Sequence, residues 1–414
     1  MRFLFPILLL WPLILGAAPP NPQNLSISLL VASGEQRSVF HRLSERFEER
    51  HPGVKVHWLA RKDADYKNKL SEWLKDPEGP DVVYWQAGTR LRQIVQSGHL
   101  AAIDDLWENE GFDSAYTSGV KQSVSYQGRV YAIPYSYYQW GFYYRQSLFD
   151  ELGLTPPATW HEFLNLCDAL NTAGIAPVTI GTKYHWPAAA WFDYIDLRLN
   201  GRQFHLDVTS GKVPFTDSRV RDVFRHWKEL LDHDCFIPAR LQAQKDWKGA
   251  LPFLYHNMAA LMLMGNYLVP QLPESLRNDI RFFPFPTINA EIGDYEEAPT
   301  DVFALPRRSQ DNPQARAFLA FIGSAGPQTL LNNHIGKIST NLNAQVGDDY
   351  FIREGTKLLE QADGLTQFFD RDAPKVIADE ALEAFSAFMA HGDVERTIQR
   401  LEEARQEWLA DQGG

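Results

Sequence analysis

Leu25, Ile27 and Leu29 alternate with polar neighbours and lead into Leu30-Val31, a period-two pattern that predicts a strand. Ser33-Gly34 ends it. Val39, Leu43 and Phe47 then recur every four residues, which places them on one helix face. His51-Pro52-Gly53 stops that helix, and Val54, Val56 and Trp58 alternate as a second strand. Tyr66, Leu70, Trp73 and Leu74 mark the next helix. The loop Asp76-Pro77-Glu78-Gly79-Pro80 then opens a third strand, Asp81 to Trp85. Strands joined by helical crossovers predict a parallel sheet, with ligand beyond the carboxyl ends of its strands. Three places meet that condition: the turn Ala32-Ser33-Gly34-Glu35, the loop after Trp58, and Trp85-Gln86-Ala87-Gly88.

Further along, Gly128 to Tyr135 is followed by an aromatic strand, Tyr137 to Tyr144. Thr159, with Glu162 three residues on, reads as a capping box. Met258 to Met264 is a buried-strand run, and Gly265-Asn266-Tyr267 enters a helix behind it. Thr300 to Pro306 is another strand, and from Pro313 the chain reads as mostly helical, ending in a charged helix from Val394 to Leu409. No internal repeat is evident. The 414 residues, 44% hydrophobic, exceed one ordinary core and suit two α/β lobes.

Charge narrows the partners. The 52 acidic against 40 basic residues, with no basic block, argue against nucleic acid. Residues 1–18 read as a signal peptide: Arg2, an apolar stretch from Phe3 to Leu15, then Gly16-Ala17-Ala18. No cysteine stands near the cut, which argues against a lipid anchor, and no later stretch is apolar enough to span a bilayer. Export permits Cys167 and Cys235 to pair, yet one pair makes no framework. Pairing is left open, with two separate buried thiols the favoured expectation. The 12 Trp, 16 Tyr and 25 Phe supply flat apolar faces suited to sugar rings, although most Trp residues should fill the core.

In order along the chain stand Ser33-Gly34-Glu35, Phe47 to Val56, Gly79-Pro80-Asp81-Val82, Gly128 to Pro134, Tyr143-Tyr144-Arg145, Pro157-Ala158-Thr159-Trp160, Met264-Gly265-Asn266-Tyr267 and Gly336 to Asn341. On these marks the sequence, over roughly residues 25–405, resembles the extracellular solute-binding proteins of the maltose- and glucose-binding type, the sugar-binding subunits of ABC importers. It departs from them where Leu29-Leu30-Val31 replaces a Trp pair, where Tyr267 replaces Trp, and where Ser339 replaces Pro. The resemblance implies a periplasmic binding protein-like α/β fold. Residues 25–134 plus 301–338 would form one lobe and 138–298 plus 342–414 the other. Hinge segments would lie near 134–138, 299–302 and 338–343. It also implies a periplasmic monomer without cofactor or metal, a small sugar ligand and permease subunits as partners. A glycerophosphodiester or polyamine cargo and a sensor role are the alternatives. A phosphate cargo would want cleft cations, and only Lys337 stands out.

The candidate ligand contacts are Glu35 in a first helical turn, Trp85 and Gln86 at the end of the third strand, and Tyr135 beside the hinge, with Trp140 assigned to packing. From the second lobe come Trp186, Asn266 and Tyr267, the last two at a helix N-terminus with free N–H groups. Asp301, His334 and Lys337 flank the later crossings, while Trp191 and Trp247 read as core or surface. No dinucleotide, phosphate-loop or nucleophile-elbow motif is present, and His161-Glu162-Phe163-Leu164-Asn165 misses the zinc pattern by one residue. A glycoside hydrolase is the enzyme class to exclude, with Glu35 and Asp301 its nearest carboxylate pair.

Overall fold

The computed structural model describes residues 23–31 and 33–412. The expected signal peptide lies outside the described residues. Two sheets organise the chain. The first runs in the order Val54–Arg61, Gln23–Leu30, Val82–Gln86, Thr300–Ala304, Ala132–Tyr137. The second runs Ile280–Phe283, Trp140–Arg145, Ala259–Gly265, Ala176–Val178.

The first three strands of the first sheet are parallel, with Ile27 between Trp58 and Val82. Helices cover the sheet: Gly34–Arg50 buries Val39, Leu43 and Phe47, and the Ser33 Oγ accepts the Gln36 N–H at 3.1 Å as its cap. The parallel expectation holds for these three strands, and a later strand joins them in the opposite sense. Thr300–Ala304 runs antiparallel to both neighbours. It returns from the second lobe, so it enters at the crossing, where the parallel strands end, and must run the other way.

The break between the two expected segments falls later than the sequence placed it. Ala132–Tyr137 belongs to the first sheet and Trp140–Arg145 to the second, with Tyr138-Gln139 linking them. Tyr137 exchanges two backbone hydrogen bonds with Ile338, both 3.0 Å, and pairs with Thr300. Three crossings of the chain are thus laced together at one place. The helix Tyr350–Gln361 packs onto it so closely that a Cβ on Gly355 would lie 2.5 Å from the Gln139 amide.

Each sheet has its own apolar core, one around Phe40, Phe47 and Phe303 and the other around Phe142, Trp191 and Phe385. In the second, Cys167 and Cys235 form a disulfide with Cα atoms 5.3 Å apart, against the expectation of separate thiols. Cys167 lies on the helix Trp160–Thr172. Cys235 follows the helix Ser218–Asp232 and sits beside the strand residue Val178, whose N–H it accepts at 2.8 Å. Sequence periodicity put both on helices and did not reveal that the sheet edge brings them together. A bridge across 68 residues contributes about 4 kcal/mol in the chain-entropy treatment. Thr159 and Glu162 make the expected capping box.

Candidate functional site

A cavity of about 520 Å³ lies between the lobes. Its floor is built where the strand Val82–Gln86 ends and Thr300–Ala304 begins, with Gln86 and Asp301 in register. Side chains alternate along a strand, so Tyr84 and Gln86 line the cavity and Trp85 between them does not.

Asp301, only 3% exposed, is the centre of the floor. It accepts from Tyr84 Oη at 2.9 Å and Lys337 Nζ at 2.5 Å, and Arg371 Nη1 stands 3.5 Å away. Burial alone would raise its carboxyl, but the charges of Lys337 and Arg371 prevail and hold it below the usual carboxylate range. Arg371 Nη2 donates to Tyr138 Oη at 2.9 Å, and Lys337 Nζ lies 5.1 Å from the Tyr138 ring centroid. Beside this cluster Arg90 binds Asp370 at 2.6 Å and also donates to Gln86 Oε1.

Aromatic rings make the opposite wall. Trp140 stacks on Phe368 with centroids 4.9 Å apart, and Trp186 meets Trp140 edge-on at 6.1 Å. Tyr267 touches Tyr138 at 5.0 Å and Trp247 at 5.3 Å. Trp186 is presented by a strained residue: His185 holds φ 62° and ψ −42°, outside the ordinary regions for a side-chain-bearing residue. The Trp140 indole N–H is buried without a partner among the described residues.

Of the residues expected from sequence, Glu35, Gln86, Trp186, Tyr267, Asp301 and Lys337 line this cavity. Four do not. Trp85 turns to the other side of its strand, stacks on Tyr66 at 6.5 Å and leaves its indole N–H unpartnered among the described residues. Tyr135 is core, stacked on Phe303 at 4.8 Å. Asn266 is fully buried: its side chain donates to the Gly336 carbonyl at 2.9 Å, and its N–H goes to the Gln139 carbonyl at 3.0 Å. The Asn266 N–H is therefore not free for a ligand, because the 3₁₀ turn Asn266–Gln271 docks on the crossing there. His334 is exposed on the helix Ala325–Ile335, away from the cavity. Trp191 is core as expected.

Sequence reasoning missed Tyr138, Arg90, Phe368, Asp370 and Arg371, and assigned Trp140 to packing and Trp247 to core or surface. The signal for three of them was the run Phe368-Phe369-Asp370-Arg371-Asp372, whose density of rings and charges is unlike the amphipathic helices around it.

Behind the cleft lies a second buried cluster. Glu297 and Asp193 are both fully buried and face each other as hydrogen-bonding neighbours, and neither Glu297 oxygen meets an N–H or O–H donor among the described residues. His205 reaches Asp196 at 3.0 Å and Asp193 at 3.8 Å, and Asp193 accepts the Phe369 N–H at 2.8 Å. Burial pushes Asp193 up to about 6, and burial with the neighbouring Asp193 charge pushes Glu297 well above the carboxylate range. Two such carboxyls share a proton.

A model of the bacterial extracellular solute-binding proteins matches residues 32–329, most of the chain. The chain belongs to that family. An ABC transporter extracellular-binding protein of Pyrococcus horikoshii is 24% identical to this solute-binding protein, over 82% of the chain and 78% of the relative. A probable sugar-binding periplasmic protein of Rhizobium meliloti is 23% identical over 69% and 66%. Among solved structures, the solute receptor AcbH, described as having an exclusive preference for β-D-galactopyranose, superposes with a TM-score of 0.84 at 24% identity, over 94% of this chain and 98% of that one. Its two-lobed binding-protein fold is shared. Among the described residues no helix is long and apolar enough to cross a membrane.

Proposed function

We propose that this solute-binding protein is the periplasmic receptor of an ABC importer, a monomer that holds a sugar between its lobes and hands it to the permease. Residues 25–134 with 301–338 would close on 138–298 with 342–414, bending near 134–138, 299–302 and 338–343. The observation that carries this reading is the pairing of an aromatic wall with a hydrogen-bonding floor across one cleft. Sugar rings offer apolar C–H faces to Trp140, Trp186 and Tyr267, and rim hydroxyls to Asp301, Gln86 and Lys337. A ligand that touches both lobes binds the closed state better and so shifts the population toward it. The sugar-binding name of the Rhizobium meliloti relative agrees with this reading.

Binding without turnover is favoured by the state of Asp301. A glycosidase acid must hold a proton near neutrality, whereas two cations keep this carboxyl ionised. The test is a thermal-shift panel of sugars, amino acids, polyamines and phosphate esters, with aryl glycosides assayed for hydrolysis. A sugar at a hundred times its Kd should stabilise by about 2.7 kcal/mol. A response to polyamines or amino acids alone, or release of the aryl group, overturns the reading.

A further inference from the structure

We propose that the cargo is an anionic sugar, one bearing a carboxylate or phosphate, and not a neutral one. This rests on the sugar reading above and sharpens it. The chain as a whole is acidic, with a formal net charge of -12. Among the described residues the cleft reverses that sign: its lining holds the cations Lys62, Arg90, Lys248, Lys337 and Arg371 against the carboxylates Glu35, Asp301 and Asp370. The floor is internally balanced to within one charge, since Asp301 serves both Lys337 and Arg371 and Asp370 serves Arg90.

The remaining imbalance is distributed in a way that matters for closure. Lys62 comes from the first lobe, just ahead of the helix Asp63–Lys75, and Lys248 from the second, on the helix Trp247–Tyr255. Neither makes an ion pair among the described residues. Lys248 Nζ sits 5.4 Å from the Trp247 ring centroid, so a sugar resting near that ring has a cation beside it. Like charges carried on the two walls oppose each other as the lobes approach. An anion between them turns that repulsion into attraction, so closure discriminates in favour of an acidic ring, while a neutral ring gains nothing from net charge.

The measurement is calorimetric titration of the mature protein with glucuronate, galacturonate and glucose 6-phosphate, each beside its neutral parent, at low and high salt. The acidic sugar should bind about tenfold tighter than its parent and lose that advantage in high salt. Lys248→Gln should lower the affinity for the acid and flatten its salt dependence, while Lys248→Arg restores both. Preference for a uronate or for the phosphate ester distinguishes the two sources of charge, and either supports the proposal. A neutral sugar that binds as tightly as its acid, independent of salt, overturns it and leaves the sugar reading intact. Binding of no sugar, acidic or neutral, overturns both.

Discussion

Asp301 and Glu297 lie four positions apart on one crossing segment, both buried, and they hold their protons in opposite ways. Asp301 opens onto the cleft with Lys337 and Arg371 at its oxygens and stays ionised. Glu297 faces the rear, meets Asp193 with no lysine or arginine of its own among the described residues, and keeps a proton in the pair. The neighbouring run splits the same way. Arg371 serves the cleft, while the next residue, Asp372, is raised by burial and faces the rear cluster with His205. Burial alone therefore does not set the charge of a carboxyl here. Between these two a cation in contact makes the difference, while Glu296, paired with Arg198, is still raised by burial.

Breaking the cleft side should have the largest effect. Asp301→Asn leaves Lys337 and Arg371 without their counter-charge, and the urea midpoint should fall by an amount equivalent to about 3–5 kcal/mol, with ligand binding lost. An unchanged midpoint would mean that these cations find another partner.

The rear side responds to pH. Unfolded, Asp193 and Glu297 release their protons near pH 4, whereas the folded pair keeps one to higher pH. The folded state thus binds more protons than the unfolded, and the pair's contribution falls as pH rises from about 4 through about 6. His205, raised by Asp196 and Asp193 against its own burial, moves stability in the same direction. Glu297→Gln cannot release the proton. Its stability relative to wild type should improve by about 1–3 kcal/mol between about pH 5 and about pH 8. The acids that face this pair, Asp196, Glu296, Asp370 and Asp372, are common to both proteins and cancel in the comparison. A pH-independent difference between the two curves would place the proton elsewhere.

Smaller effects sharpen the boundary of the cleft. Trp186→Ala should weaken sugar binding about tenfold, or 1.4 kcal/mol, with folding preserved. Trp85→Ala should do the reverse, lowering the denaturation midpoint while titration finds the affinity unaltered. His334→Ala should change neither.

How far the sequence could be read follows from which forces act locally. Period-two and period-four patterns report which side of an element is buried, so the helix Gly34–Arg50 and the strands Gln23–Leu30 and Ala259–Gly265 were legible. Asp301 came from the family resemblance and not from any period, whereas Gln86 was legible as the end of a parallel strand. The choice between neighbours was not: Trp85 and Gln86 are equally near the strand end, and only the strand's facing decides between them. Arg371 and Phe368 were hidden because they come to the floor from a segment distant in sequence, by contacts that no local period records.

The strand Thr300–Ala304 lies between Val82–Gln86 and Ala132–Tyr137, although it is made after both. A chain emerging from its N-terminus therefore presents two strands whose shared neighbour does not yet exist. Their facing edges stay unpaired through the synthesis of the whole second sheet, and the first lobe cannot close until residue 304 is available. Topology thus imposes a late folding step on the nascent protein. The same step completes the floor of the cleft only when Asp301 arrives.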